Sequence, residues 1–449
     1  MTTSSGVSSA DREQQDPRAP HDAAGGRELE SEFEHEPVPV THRKSLLTVS
    51  AVWFGFPMIL TNAIPGGLVV ALLGFWQGVA AILVANAIMF AYVSLLSYRA
   101  GQTGKSFALQ ATETFGTVGY AIASGFLATV VVGWFAFNTG ATGASLNQAF
   151  GWNESLVVLV AGAAFIAVTY VGIKALSVLG AIAAPLFIVA VIIAIAVAAS
   201  TADFSQVTSY AGVGGGAMTF GVAVTSIMAT FADSGTMTAD FTRWSRNGRE
   251  AVLATLTAFP IASLVAQLSG GLLVAAGAIA NPGAVGGDFT PILTGEDNLL
   301  LNAFVVVFVL INLGSVCTHC LYNGALGWSH LTRSTMRLLT LVLGVLGVVV
   351  ALAGAWHHFV SWLAFLGVLV PALGGVLIAD QIILGRRLAG RTESKARLTA
   401  FAAWAIGAGA AVIVHYSADF LSDAVVGLAT GIVAYLVIEN VRRPASVGA

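Results

Sequence analysis

Long apolar segments separated by short polar loops dominate the chain from Ser45 onward. Each segment is long enough to cross the roughly 30 Å hydrocarbon core of a bilayer as a helix. A helix on the surface of a soluble protein would show a continuous polar face, and these segments do not. The pattern predicts twelve membrane-spanning helices, named span one to span twelve in chain order. The predicted spans are residues 46–72, 76–98, 118–147, 155–172, 175–199, 216–239, 251–279, 299–326, 337–354, 359–383, 398–415 and 421–440.

Residues 1–44 have the opposite character, because they are polar, acidic and rich in Pro and Gly. Such a segment buries too little apolar surface to offset the entropy of ordering it. It also has no apolar stretch behind basic residues of the kind that marks a secretory signal. We expect a disordered acidic tail.

Composition supports a membrane setting. The chain has 449 residues, of which 56% are hydrophobic and only 10% are charged, and its net charge is -3. Soluble proteins carry roughly 25% charged residues, so a water-facing surface of ordinary size is excluded. This argues against a soluble enzyme and against a nucleic-acid binder. The partner that the composition indicates is the lipid bilayer, and no obligate protein partner is evident.

The basic residues after the tail predict the orientation of the chain. With twelve spans, all of these Lys and Arg residues fall on the side of the membrane that holds both termini. The loops on the opposite side carry Asp and Glu residues but no Lys or Arg. By the positive-inside rule, both termini are expected to be cytoplasmic in a multi-pass protein of the plasma (inner) membrane. The residues concerned are Arg99, Lys105, Lys174, Arg243, Arg246, Arg249, Arg333, Arg337, Arg386, Arg387, Arg391, Lys395, Arg397, Arg442 and Arg443.

A weak internal repeat relates spans five and ten. The segment Leu176–Gly180 leads to Pro185, and Leu363–Gly367 leads to Pro371. Five spans separate the two copies, so the second copy would be inverted in the membrane, as in many secondary transporters. The expected division is a tail (1–44), a first repeat (45–199), a second repeat (200–383) and a C-terminal part with spans eleven and twelve (384–449).

The first helix of each repeat contains residues that interrupt a helix. Span one has Pro and Gly residues between Gly55 and Gly67, and span six has a polar run from Thr230 to Asp240. Backbone groups freed at such interruptions cannot face lipid, so they must line a cavity or bind something. Interrupted helices at matching positions of two repeats point to a transport site.

Several residues near these interruptions could carry the chemistry of transport. Asp233 would cost at least ~2.5 kcal/mol in the membrane interior, so it suggests substrate binding or a coupling proton, with a structural role as the alternative. Trp134 and Phe231 could form the walls of a site for a planar ligand, or could simply be packing residues. Span eight has a polar stretch around Asn312 and Ser315 that could offer oxygens to a cation or join helices.

Beyond these features, certain motifs resemble the nucleobase–cation symporter family of purine and cytosine permeases, especially its bacterial cytosine permeases. They are Gly235-Thr-Met-Thr-Ala-Asp-Phe-Thr-Arg243, Gly133-Trp-Phe135 and Gly374-Gly-Val-Leu-Ile-Ala-Asp380. The resemblance covers nearly all of the chain after the tail. It implies an all-α polytopic fold of the leucine-transporter type, with a five-plus-five inverted repeat and two additional C-terminal helices.

The resemblance also implies a function and a set of site residues. The function is secondary active import of a nucleobase or related heterocycle, coupled to Na⁺ or H⁺ by alternating access, with no enzymatic activity and no cofactor beyond a possible Na⁺. The implied substrate-binding residues are Trp134, Phe231, Thr230, Asp233 and Asn312. The implied sodium ligands are the carbonyls of Phe56 and Ile59 and the side chains of Asn312 and Ser315.

Two departures from the family pattern keep alternatives open. Val131 replaces a Gln that binds the base in cytosine permeases, and Val316 stands where a second hydroxyl would help to bind sodium. A site without the expected amide discriminates differently among ligands. The alternative substrates are allantoin, a hydantoin or a thiamine precursor, and the alternative coupling ion is a proton at Asp233. An intramembrane enzyme is less favoured, because Asp233 has no acidic mate in mid-membrane and no HExxH motif is present.

Overall fold

A computed structural model describes residues 31–213, 218–294, 298–385 and 394–442. Within these ranges the chain is helical and contains no β-strand. Most of the predicted tail (1–30) and the loop arginines Arg386, Arg387 and Arg391 lie outside the described residues, as does Arg443.

The long helices coincide with the predicted spans. Span nine is a shorter apolar helix, Met336–Leu352, and a helix that joins spans two and three, Phe107–Phe115, is too short to cross a membrane. Among the described residues, nine helices are long and apolar enough to cross a membrane, and they correspond to spans two to five, seven, eight and ten to twelve. They are Phe75–Thr103, Tyr120–Phe150, Glu154–Val171, Ile173–Ala198, Gly248–Ala275, Leu299–Thr332, Ser361–Ile383, Leu398–Ser417 and Asp423–Val441.

Spans one and six are interrupted, as the sequence predicts. Span one consists of Leu46–Gly55 and Leu60–Leu73, which are bent by 55° relative to each other. Span six is divided into Phe220–Ala229, Ala232–Thr236 and Ala239–Thr242. Each repeat of five helices therefore begins with a broken helix.

The two repeats are packed into one another. The first half of span one contacts span five, its second half contacts span seven, and span three lies along span eight. Spans eleven and twelve pair with each other and contact span ten. The architecture is the expected five-plus-five inverted repeat with two C-terminal helices, although the residue boundaries between the parts stay a prediction.

Glycines allow the second half of span one to approach span seven closely. A Cβ atom on Gly66 would lie 2.2 Å from the carbonyl oxygen of Gln267, and one on Gly270 would lie 2.2 Å from the carbonyl oxygen of Ala63. These neighbours are backbone atoms that cannot move aside without shifting a helix. The contact therefore holds one side of the span-one break in place.

We expect Gly66→Ala to destabilise the protein by about 1–3 kcal/mol, the usual effect of overpacking a close contact. The measurement is the thermal midpoint of the detergent-solubilised protein, followed by size-exclusion chromatography. Gly409→Ala is the matched control, because a Cβ atom there meets nothing within 4 Å. Equal midpoints for the two variants would show that the helices are not in contact at Gly66.

Candidate functional site

The break in span one is held by a side chain of span eight. The Oδ1 atom of Asn312 accepts a hydrogen bond from the backbone N–H of Leu60 (2.8 Å), and its Nδ2 atom donates to the carbonyl of Met58 (2.9 Å). Asn312 is fully buried. One amide thus satisfies a donor and an acceptor that the broken helix would otherwise leave unpaired.

Two further polar side chains act at the same break. The hydroxyl of Ser315 donates to the carbonyl of Gly55 (3.1 Å), and the amide of Asn62 donates to the carbonyl of Pro57 (2.8 Å). Ile59 has an extended conformation, and its carbonyl accepts hydrogen bonds from two later backbone N–H groups in the first turn of the following helix. The freed backbone is therefore largely paired by side chains of spans one and eight.

The break in span six places an aromatic ring and a hydroxyl beside the break in span one. Phe231 leaves the helical conformation, with φ -137° and ψ 16°, so the helix is interrupted between Ala229 and Ala232. The hydroxyl of Thr230 donates to the carbonyl of Ser226 (3.1 Å), which leaves its oxygen able to accept another hydrogen bond. Phe231 and Thr230 are both almost entirely buried.

A small cavity lies where the two breaks meet. Apolar side chains form most of its wall, and a few polar groups are placed among them. The lining residues are Phe56, Ile59, Thr61, Trp134, Asn138, Thr230, Phe231, Ser234, Val316 and Cys320.

The two aromatic walls predicted from the sequence both line this cavity, and each is supported by neighbouring rings. Trp134 meets Trp362 edge-on, with ring centroids 6.4 Å apart. Phe231 meets Phe56 edge-on at 5.2 Å and contacts Phe259 at 5.7 Å. Such edge-to-face contacts favour fixed ring orientations.

Asn138 is a cavity residue that the sequence analysis did not identify. It lies one helical turn after Trp134, so the 3.6-residue period of a helix places both residues on the same face of span three. This spacing is the feature of the sequence from which Asn138 could have been predicted. Its Nδ2 atom donates to the carbonyl of Trp134 (2.9 Å), and its Oδ1 atom accepts from the hydroxyl of Thr61 (2.8 Å). The second N–H of this amide is available to a ligand. Ser234 and Cys320 also line the cavity without having been predicted.

Asp233 is completely buried but does not line the cavity. Its two carboxylate oxygens make no hydrogen bond of normal geometry with the described residues, although the backbone N–H of Ser234 and the indole of Trp134 lie close to them. The carboxyl group is thus placed directly behind one wall of the cavity.

The structure therefore divides the predicted site residues into two groups. Trp134, Phe231, Thr230, Phe56 and Ile59 line the cavity. The side chains of three others lie behind it: Asp233, Asn312 and Ser315.

Two broken helices at matching positions of inverted repeats, with an enclosed cavity between them, are the features of a secondary transporter. Residues 37–437 match the family model described as permeases for cytosine/purines, uracil, thiamine and allantoin, and the chain belongs to this family. It is accordingly a multi-pass membrane transport protein and not an enzyme.

Relatives and solved structures agree with this assignment. The cytosine permease of Escherichia coli K12 is 30% identical over 368 residues, which cover 80% of this chain and 83% of the relative. Mhp1, a nucleobase-cation-symport-1 family transporter solved closed with bromovinylhydantoin bound, has a TM-score of 0.73 at 17% identity and covers 92% of this chain and 97% of its own. A Na⁺-coupled sialic acid symporter has a TM-score of 0.68 at 13% identity, covering 91% and 92%. At these identities the two structures establish the fold alone.

We expect Asn312→Ala to destabilise the protein by about 2–6 kcal/mol, because two buried backbone groups would each lose their partner at about 1–3 kcal/mol. The thermal midpoint of the purified protein is the measurement. Asn440→Ala, at an exposed position of span twelve, serves as the control. A midpoint for Asn312→Ala equal to that of the control would contradict the capping role.

Proposed function

We propose that the protein imports a nucleobase or a closely related planar heterocycle, coupled to a cation, by alternating access. The observation that carries this proposal is the small cavity at the two helix breaks, lined by Trp134 and Phe231. A flat ring between two aromatic side chains gains stacking energy that an aliphatic ligand does not. The names of the family and of the E. coli relative support the same substrate class.

The polar groups of the cavity suit the edge of such a ring. Asn138 offers an N–H, Thr230 offers an acceptor oxygen, and the hydroxyl of Ser234 can act either as donor or as acceptor. Adjacent carbonyl and N–H groups, as found on pyrimidines and hydantoins, match this alternation. Val131 is buried and is not among the lining residues, so the amide that lines this cavity is that of Asn138.

We further propose that the coupling cation is a proton carried by Asp233. An unpaired carboxylate in a membrane interior is costly, whereas a protonated carboxyl group carries no charge, so a residue in this position is suited to gain and lose a proton. The fit of a sodium ion to the predicted ligands is only partial. The amide of Asn312 is already bonded at both ends, and Val316 contributes no oxygen. The carbonyls of Phe56 and Ile59 and the hydroxyl of Ser315 remain the predicted sodium ligands.

We place the protein in the plasma membrane. The positions of the basic residues support an orientation with both termini in the cytoplasm. In this orientation Arg243, Arg249 and Arg337 lie on the cytoplasmic side, and the cavity exchanges substrate between the outer medium and the cytoplasm.

The proposed function is tested by uptake of radiolabelled cytosine, uracil, hypoxanthine, hydantoin and allantoin into membrane vesicles. We expect at least one of them to accumulate, and Phe231→Ala to raise its half-saturating concentration about tenfold, since stacking on an aromatic ring is worth about 1–3 kcal/mol. Phe220→Ala is the matched control, because Phe220 lies on the same broken span but is 41% exposed. Failure of every compound under both sodium and proton gradients would refute the proposal.

Coupling is tested by imposing the two gradients separately. We expect a proton gradient to drive uptake by the wild-type protein, and Asp233→Asn to abolish this accumulation while still exchanging labelled for unlabelled substrate. The amide keeps the size and polarity of the carboxyl group but cannot bind a proton. If a sodium gradient drives uptake by Asp233→Asn at the rate of the wild-type protein, the coupling ion is sodium instead.

A further inference from the structure

Residues 32–38, named here the strap, precede span one and lie against the ends of other spans. They fall within the predicted tail, yet Glu32, Phe33 and Val38 are buried, with exposures of 2%, 8% and 2%. The face of the bundle that they cover is the one at which span one begins, and it is called the N-terminal face below.

The carboxyl group of Glu32 joins spans five and eight. Its Oε2 atom accepts a hydrogen bond from the hydroxyl of Tyr322 (2.8 Å), and its Oε1 atom accepts one from the backbone N–H of Ile173 (3.0 Å). Gly172 makes room for it, because a Cβ atom there would lie 1.8 Å from Oε1. The strap thus has a specific seat between these two helices.

The backbone of the strap is held from span six. The guanidinium group of Arg243, which is completely buried, donates to the carbonyls of Glu32 (2.6 Å) and Phe33 (2.8 Å). The ring of Phe33 meets the ring of Trp244 at 6.0 Å. If the strap left, this guanidinium would lose two buried acceptors and would need water in their place. Departure of the strap and hydration of this face therefore go together.

A continuous series of aromatic rings connects the cavity to the strap. Phe56 lines the cavity and lies 5.9 Å from Phe241, which in turn is stacked on Tyr322 with centroids 6.0 Å apart and planes at 21°. Tyr322 donates its hydroxyl hydrogen bond to Glu32. The strap therefore fixes the outermost ring of the barrier between the cavity and the N-terminal face.

The buried carboxyl group of Glu32 depends on its hydrogen-bond partners to remain in its seat. Burial raises the pKa of this carboxyl above its ordinary value, while the bonds from Tyr322 and Ile173 and the charge of Arg243 oppose that shift; Glu34 adds to it. A buried carboxyl group that lost the Tyr322 bond would be better solvated outside its seat. Docking of the strap thus depends on the position of span eight.

We propose that the strap is a latch of the transport cycle: when docked it holds the N-terminal face closed, and it withdraws when that face opens to release substrate. Spans five, six and eight meet at the strap, so their separation requires the bonds of Glu32 to break. This role goes beyond the proposed function and does not depend on which heterocycle or cation is carried.

Cys320 provides a reporter for the latch. It lines the cavity, and Cys317→Ser leaves it as the single thiol of the full-length protein. A membrane-impermeant maleimide added to the N-terminal face of sealed vesicles reaches Cys320 only when that face opens. In this background we expect Glu32→Ala to increase the rate of alkylation about tenfold, the equivalent of one hydrogen bond to a charged group. Glu36→Ala is the control, because Glu36 is an exposed residue of the same strap.

Tyr322→Phe gives a second, independent reading. It keeps the ring in the barrier and removes the hydroxyl, which bonds to Glu32 and also interacts with Arg243, so we expect faster alkylation in the same direction. It decides the question if Glu32→Ala does not fold. Alkylation at the control rate in the variants that fold, or an increase only from the opposite face, would overturn the latch. Because alkylation needs no substrate, this result is separate from failure of uptake.

Discussion

The requirement that backbone polar groups find partners inside a bilayer governs this structure. Spans one and six leave the helical conformation at a depth where no bulk water is present to form hydrogen bonds with the freed backbone groups. In span one, buried side chains form these hydrogen bonds. Asn312 and Ser315 reach across from span eight, and Asn62 bonds to a carbonyl within span one itself. Removing such partners would leave unpaired groups in an apolar interior, so the break and its polar contacts must occur together.

This requirement also creates the cavity that we propose as the transport site. The side chains at the two breaks, among them Phe56, Ile59 and Phe231, turn toward a common cavity because the helices that carry them are interrupted at the same level. Span three supplies the remaining wall through Trp134 and Asn138. A series of neighbouring aromatic rings joins the cavity to the N-terminal face, so the contacts made by the strap reach the residues that line the cavity.

Much of the fold was predictable from local features of the sequence. A membrane helix needs a long apolar segment, and a break needs Pro, Gly or a polar run, and both are visible along the chain itself. The family resemblance supplied Trp134 and Phe231 as cavity walls. Asn138 was missed, although it lies one turn after Trp134, because the direction of an amide depends on what faces the helix. Asn312 was assigned to substrate and sodium, but its amide is bonded to the backbone of span one.

Apolar length, helix-interrupting residues and motif spacing along the chain were enough to predict the long helices, the two broken helices and the family. Which polar side chains face the cavity and which support its walls depends on how distant helices pack together, and no local pattern encodes this. Asp233 was recognisable as costly in a membrane, yet its position behind the cavity depends on the packing of spans three and six. Glu32 looked like part of a solvated tail, since nothing near it in sequence indicates Tyr322, its partner 290 residues later.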